Sequence, residues 1–252
     1  MASKVFGLYT SENIHPGFSI NCVILSFYKG NLKVLLYKFS LKKYWALPGG
    51  FMLKHEDADQ AAYRILKSQT GLSDVFLKQF YLFSDPQRTI MEQNIRFVHQ
   101  NATNEEEGKW LLQRFVSLGY YALVRYEEVE FPEIEREDFQ WYDVDQLPDL
   151  YSDHQKIIEK SIKGIRNMLP VFPVIYKLLP DKFTMSELRK VYECFIGKAL
   201  DRRNFQRKVF SEGFIVPLNE KKSTKIYNPT KLYSFNFAKK KIFYQDMTDL
   251  DD

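Results

Sequence analysis

The feature that most constrains this 252-residue chain is the spacing of Gly50, Glu56, Arg64 and Gly71. Five residues separate Gly50 from Glu56, and seven separate Glu56 from Arg64. Apolar residues at helical spacing follow Glu56, which predicts an amphipathic helix over residues 57–70 with Gly71 as its C-cap. The same pattern also fits an ordinary strand, glycine turn and helix that have no chemistry of their own.

The spacing resembles the box of the Nudix hydrolases, and residues 45–51 are similar to the usual lead-in to that box. In those enzymes, glutamates on one helix face hold Mg²⁺ against a diphosphate, which requires hard anionic oxygen ligands. The corresponding positions here are Ile65, Ser68 and Gln69, and none of them is acidic. The resemblance therefore implies a Nudix fold without hydrolysis, and we expect no catalytic residue, no metal and no cofactor.

Composition places the chain among globular proteins of one or two domains. An apolar content of 45% and an aromatic content of 16% exclude a disordered chain. No apolar run approaches the ~18 residues of a membrane helix, and residues 1–10 lack the apolar segment of a signal peptide. Cys22 and Cys194 show no metal-binding spacing. We therefore predict a cytoplasmic protein that does not bind membranes.

Charge is distributed unevenly along the chain. Residues 160–245 contain 19 Lys and Arg against 6 Asp and Glu, a net charge of +13, whereas residues 1–159 contain 17 against 22, a net charge of −5. A basic second half indicates that this part meets a polyanion. The alternative is a basic domain that is merely soluble.

The first half reads as an α+β domain. Alternating apolar residues predict strands, and helical spacing predicts a final helix. The predicted strands are 18–28, 32–39, 75–84, 118–126 and 139–143, and the helix is 153–167. Between two of these strands, residues 85–114 read as a long polar loop, which is usually functional or mobile.

The second half predicts three short helices followed by a β-hairpin. Thr184 and Glu187 form a capping box at the start of the second helix, Gly197 ends it, and Asp201 can cap the third. The remaining predicted elements are a first helix at 171–179 and strands at 214–218 and 226–237, around a basic loop. This arrangement is typical of a winged helix-turn-helix, whose third helix enters the major groove.

Residues 178–184, 192–193 and 200–205 strongly resemble the DNA-binding half of Nudix-related transcriptional regulators. Members include the NrtR regulators of NAD metabolism and the AraR regulators of arabinose use. The resemblance covers nearly the whole chain. It implies a Nudix-like α/β/α sandwich in residues 1–168 and a winged helix-turn-helix domain in residues 169–245.

The candidates for DNA contact are basic or amide residues of the third helix and the wing. They are Arg202, Arg203, Asn204, Arg207, Lys208, Lys221, Lys222 and Lys225. Arginine pairs bidentately with guanine and asparagine with adenine. The interpretation depends on the absence of acidic partners at i+4 on this helix, and its alternative is a solvated helix face. Two half-sites on double-stranded operator DNA would require a homodimer.

The candidates for effector binding are Lys38, Trp45, Glu56, Asp85 and Arg88, which the fold places near the pocket. A pocket without metal-binding glutamates accepts an uncharged polyol more easily than a diphosphate, and Trp45 could provide an apolar wall. Because of the AraR-like resemblance, we predict a sugar as effector, with L-arabinose first. ADP-ribose is the alternative, since NrtR-like relatives sense it and Arg88 could meet a phosphate.

Together these features predict a ligand-responsive transcriptional repressor rather than an enzyme. The rival hypothesis is a Nudix pyrophosphatase whose basic appendix binds RNA or an acidic substrate. A glutamate of the run at 105–107 could serve such an enzyme as general base. We expect His154, at the start of a helix, to form a structural hydrogen bond.

Overall fold

A computed structural model describes residues 14–38, 43–73, 75–102, 104–129, 138–169, 174–222 and 230–236. The chain divides into two compact units, the first ending at Gly164 and the second beginning at Ile165; residues Phe27–Asn31 cluster with the second. The division falls within a helix and lies close to the predicted boundary at residue 168. Within the described ranges, every helix is too short or too polar to cross a membrane.

The first unit is built on a seven-stranded sheet. Five strands are hydrogen-bonded in the order β3-β2-β1-β6-β5. In addition, β4 pairs with β1 and β7 pairs with β2. The strands are β1 (Ile14–Tyr28), β2 (Asn31–Lys38), β3 (Trp45–Ala46), β4 (Gly49–Leu53), β5 (Leu77–Phe83), β6 (Val116–Leu123) and β7 (Phe139–Asp143). Strands β1 and β6 run parallel, and β4 runs antiparallel to β1, so β4 delivers the glycine turn to the middle of the sheet.

Helix α1 (Ala58–Thr70) follows the glycine turn as predicted. Asp57 caps it, because its carboxylate accepts from the Gln60 amide and the Gln60 side chain returns the bond in a capping box. Gly71 ends the helix in the left-handed region, with φ 74°. The buried face, which includes Ile65, packs on β1 and β6. One face of α1 therefore belongs to the hydrophobic core.

Residues 85–114, predicted as a loop, contain two helices, α2 (Met91–Asn101) and α3 (Glu105–Leu111). The loop prediction is therefore wrong. Asn104 caps α3 by accepting from the Glu107 amide at 2.8 Å, so the glutamate run forms the first helical turn, where it complements the helix dipole. Phe97 and Leu111 of this helical pair are buried in a small apolar cluster.

The first unit ends in α4 (His154–Met168), and the second unit has a winged-helix order of elements. They are a 3₁₀ helix (Val174–Leu178), β8 (Phe183–Thr184), α5 (Met185–Ile196), α6 (Arg202–Glu212), β9 (Ile215–Lys222) and β10 (Thr230–Phe235). The described part of the first predicted helix is 3₁₀ rather than α-helical. The three strands form one sheet in the order β8-β10-β9.

Three of the predicted helix caps in this unit are confirmed. Thr184 and Glu187 form the capping box of α5, Gly197 ends α5 with φ 76°, and the Asp201 carboxylate accepts from the Asn204 amide to cap α6. The core of the unit draws on all its elements. Its buried side chains include Phe183, Leu188, Val191, Phe195, Phe205, Val209 and Tyr233.

Candidate functional site

The three positions that lack glutamates belong to the internal structure of the box. Ile65 is fully buried, and the Ser68 hydroxyl donates to the Ile65 carbonyl at 3.0 Å. The Gln69 amide spans Gly49, donating to its carbonyl at 2.9 Å and accepting from its N–H at 3.1 Å. A Cβ at Gly49 would lie 2.7 Å from the Ile20 carbonyl oxygen, so only glycine allows this approach. Gln69 thus locks the glycine turn onto α1.

Glu56 is held by the arginine of its own motif. Its carboxylate accepts from Arg64 Nε at 2.8 Å and from the Leu53 amide at 2.8 Å. Burial acts to raise the pKa of Glu56, but the bonds from Arg64 and Leu53 outweigh it and hold the pKa below its usual value. The structure therefore gives Glu56 internal partners, and its predicted contact with an effector stays a prediction.

These residues do not fit a magnesium ion. Mg²⁺ requires several hard oxygen ligands in near-octahedral geometry. The box offers the Glu56 carboxylate, already paired with Arg64, and the side-chain amide of Gln69, already bonded to Gly49. Among the described residues, no group of three or more His, Cys, Asp or Glu could hold a metal ion. The geometry accordingly gives no support to a metal-assisted hydrolysis at this site.

The structure brings two of the predicted effector residues together. Lys38 and Trp45 are partners across β2 and β3, and the Lys38 side chain is exposed. The Trp45 ring meets Tyr142 edge-on at a centroid distance of 4.9 Å. The Trp45 backbone is fixed in both directions, donating to the Asp149 carbonyl and accepting from the Tyr151 amide, each at 2.9 Å. Trp45 is thus a rigid, partly exposed ring beside an exposed cation.

Asp85 and Arg88 share one turn, but they differ in exposure. The exposed Asp85 accepts from the Gln87 amide at 2.9 Å. Arg88 is buried and forms two bonds to Asp153, Nε to Oδ2 at 3.0 Å and Nη2 to Oδ1 at 2.9 Å. The sequence predicts Arg88 as an effector-binding residue, and the structure gives its guanidinium an ion pair with Asp153 within the fold, so its contact with an effector stays a prediction. Asp153 lies 65 residues away in sequence, so no local pattern identified this partner.

A segment that sequence analysis did not single out as part of the site connects these elements. In residues 149–154, Asp149 and Tyr151 bind the Trp45 backbone, and the Ser152 hydroxyl donates to the Arg88 carbonyl at 2.7 Å. His154, buried at the start of α4, accepts on Nδ1 from the Leu47 amide at 2.9 Å. Burial lowers the pKa of His154 to about 4, so the ring is neutral. The predicted structural role of His154 is confirmed.

The predicted DNA-contacting residues of α6 point away from the core. Phe205 and Val209 are buried. The residues on the other side are all exposed, namely Arg202, Arg203, Asn204, Arg207 and Lys208. The claim that this helix lacks an acidic partner at i+4 is wrong, since Lys208 lies 3.9 Å from Glu212. That pair leaves the three arginines without a carboxylate partner among the described residues.

The wing strands contribute further basic side chains. Lys221 and Lys222 are exposed on β9, and Lys221 is the cross-strand partner of Lys231 on β10. Lys222 also forms an ion pair with Glu187 at 2.9 Å. Lys225 lies outside the described residues, as do the rest of positions 223–229. The described parts of α6 and β9 thus present basic residues on neighbouring elements of one unit.

Comparison with known proteins identifies both units. A family profile described as the NUDIX domain matches residues 18–161, more than half of the chain. The chain belongs to the NUDIX family. A second profile, described as the NrtR DNA-binding winged helix domain, matches residues 175–235. The predicted fold class, a Nudix domain followed by a winged helix domain, is therefore confirmed.

Similar proteins match most of the length of this chain. An Acinetobacter baylyi protein named ADPR responsive transcriptional repressor NtrR is 26% identical over 232 residues, which cover 89% of this chain and 84% of that protein. The crystal structure of Shewanella oneidensis NrtR complexed with a 27mer DNA has a TM-score of 0.65 at 23% identity, covering 87% of this chain and 93% of that one. A MutT/nudix family protein from Enterococcus faecalis has a TM-score of 0.62 at 21% identity, covering 90% and 89%. The structural matches establish the fold.

Proposed function

We propose that this protein is an ADP-ribose-responsive transcriptional repressor that binds operator DNA as a cytoplasmic homodimer. The observation that carries the proposal is the winged helix unit with its exposed basic helix, in one chain with a Nudix unit whose Glu56 and Gln69 are bonded within the box. A relative that spans most of the chain is named an ADPR responsive transcriptional repressor. This similarity favours ADP-ribose, our second choice from sequence, and nothing among the relatives supports L-arabinose.

The DNA-binding part of the proposal depends on helix α6. Arg203, Asn204 and Arg207 lie on one exposed face, and Arg207 Nη2 donates to Asn204 Oδ1 at 2.9 Å. This contact orients the guanidinium along the helix, while both Arg203 and Asn204 keep groups that can meet base edges. Lys221 and Lys222 of the wing would contact phosphates on either side of the groove. Two such helices in a dimer would contact two half-sites.

The rival function is a Nudix pyrophosphatase. It requires metal ligands that the box does not provide, because Ile65 is core and Gln69 holds Gly49. The glutamate run once considered for a general base forms the first turn of α3. The geometry therefore favours the regulator over the enzyme.

The test begins with the full chain and a library of random double-stranded DNA. Repeated selection should yield one sequence with two related half-sites, and ADP-ribose should release the selected DNA whereas L-arabinose should not. Failure to select any sequence would refute DNA-specific regulation. Release by L-arabinose alone would restore our first choice of effector and refute the ADP-ribose proposal.

A further inference from the structure

Three aromatic side chains form a wall beside the glycine turn of the Nudix box. The centroid of the Trp110 ring lies 4.8 Å from Phe51 and 5.4 Å from Phe115, and Phe51 lies 5.1 Å from Phe115. All three side chains are partly exposed. We call these three residues the aromatic wall. Phe51 and Trp110 also pack against the small buried cluster that contains Phe97 and Leu111, so the wall is supported on one side by the core and remains partly exposed.

The aromatic wall is anchored to both arginines of the site. Phe51 follows Gly50 on β4, and its carbonyl accepts from Arg64 Nη2 at 2.9 Å. The Phe115 carbonyl accepts from Arg88 Nη1 at 3.4 Å. The side chain of Arg64 is paired with Glu56 and remains 31% exposed, so a partly exposed guanidinium borders the wall on the side of the box. An aromatic surface beside a partly exposed cation suits a ligand with a flat ring and an anionic group.

Two hydrogen-bond donors accompany the wall and lack partners. Trp110 Nε1 and Gln113 Nε2 are buried, with no hydrogen-bond partner among the described residues. The backbone N–H of Gln113 donates to the Trp110 carbonyl at 3.2 Å, so both residues belong to the turn that ends α3. Buried donors are almost always paired in folded proteins. Two unpaired donors in one turn point to a bound ligand that provides hydrogen-bond acceptors.

We propose that the aromatic wall, with Trp110 and Gln113, is the subsite for the purine base of a nucleotide effector. The inference rests on the proposed function, since it locates the adenine of ADP-ribose. Adenine is flat, and its ring nitrogens accept hydrogen bonds without carrying hydrogens of their own. A pentose hydroxyl that accepts from Trp110 also carries a donor hydrogen, which would need a hydrogen-bond acceptor of its own. Binding requires the indole of Trp110 to turn until Nε1, now buried, faces the stacked base.

Helix α3 is therefore part of the sensor. It lies in the segment 85–114, between β5 and β6, and contributes both Trp110 and the turn that holds Gln113. The box loop would meet the diphosphate through Arg64, and α3 would distinguish the base. Specificity for a purine then depends on residues outside the Nudix box.

The test is calorimetric titration of the full chain with ADP-ribose, AMP and ribose 5-phosphate. Trp110→Phe keeps a ring in the wall and removes one donor. It should weaken ADP-ribose and AMP by about three- to tenfold, the value of one neutral hydrogen bond, and leave ribose 5-phosphate unchanged. Gln113→Met should have the same effect. Trp141→Phe is the matched control, because Trp141 lies on β7, where its ring packs against that of Tyr126, and it should change no affinity.

Thermal unfolding of the unliganded variants separates a ligand-binding role from a structural one. Gln113→Met keeps the length of the side chain and removes a buried donor that has no partner among the described residues, so the melting temperature should stay the same or rise. A melting temperature lowered by several degrees in Gln113→Met would show that Nε2 is paired within the fold and would overturn the proposal. Equal affinity of wild type and Trp110→Phe for ADP-ribose would overturn the subsite while leaving the proposed function intact. If wild type binds no adenine nucleotide, the proposed effector fails as well.

Discussion

Replacing Asp153 with alanine should strongly destabilise the first unit. Asp153 and Arg88 form a double hydrogen-bonded ion pair, with both side chains 7% exposed. Without the carboxylate, the Arg88 guanidinium would stay buried with the Phe115 carbonyl at 3.4 Å as its remaining partner. Removing one partner of a buried pair costs about 3–5 kcal/mol, because the other charge is left uncompensated. We expect a loss of that size in the free energy of unfolding.

Urea unfolding followed by tryptophan fluorescence measures this loss in the relevant unit. Trp45, Trp110 and Trp141, the three tryptophans of the chain, all lie in the first unit, so their emission reports its unfolding apart from that of the second. Glu92→Ala is the matched control, since it breaks an ion pair with Arg96 whose side chains are 75% and 62% exposed. That change should cost no more than about 1 kcal/mol.

A double variant tests the cause of the loss. Arg88→Met combined with Asp153→Leu replaces the pair by apolar groups and should regain most of the stability, because no buried charge remains. A loss below about 1 kcal/mol in Asp153→Ala would contradict this reasoning. The pair would then contribute little to stability, and the sequence-based prediction that Arg88 contacts the effector would gain support.

Three further predictions concern protonation, DNA and catalysis. The folded-state pKa of His154, about 4 against 6.5 in the unfolded chain, means that the unfolded state takes up the proton first as pH falls. The first unit should lose about 3 kcal/mol of stability between pH 6.5 and 4, and urea titrations across that range should show a smaller loss in His154→Gln. Arg203→Ala or Arg207→Ala should cost about 1–3 kcal/mol on the selected DNA and less on unrelated DNA, whereas Lys221→Ala and Lys222→Ala should weaken both alike and reduce the salt dependence, as measured by fluorescence anisotropy. Chromatography should detect no turnover of ADP-ribose with Mg²⁺ or Mn²⁺ at ordinary enzyme rates.

Local signals predicted the elements whose ends depend on nearby residues. The capping box at Thr184, the glycine stop at Gly197 and the cap at Asp201 act over three or four residues, so the helix ends could be located without tertiary information. Strand β7 (Phe139–Asp143) was predicted with its observed ends, because Leu147 and Pro148 follow closely and break the strand pattern.

The helices α2 and α3 were missed although a signal for the second was present. Asn104 followed by three glutamates is the pattern of an N-cap and an acidic first turn, but the sequence analysis placed it in a long polar loop. Helix α2 offered less, because Ile90 at its N-cap makes no side-chain capping bond. Its formation depends on tertiary burial of Phe97 and Val98.

The long-range contacts of the site could not be predicted from the sequence. Arg88 meets Asp153 across 65 residues, and Gln69 meets Gly49 across 20. Both arginine and glutamine could have faced a ligand on pattern alone. Their internal partners follow from the folded sheet, which is why the effector residues were the weakest part of the sequence-based prediction.

The central claim is that the Nudix unit senses ADP-ribose without metal and without cleaving it. The most direct measurement is fluorescence anisotropy of the selected DNA bound to the full chain, titrated with ADP-ribose in EDTA and again in Mg²⁺. Because Gln69 and Arg64 occupy the groups that would otherwise face a metal, we predict the same release curve in both buffers and recovery of intact ADP-ribose. Release that requires Mg²⁺, accompanied by AMP and ribose 5-phosphate as products, would contradict the account.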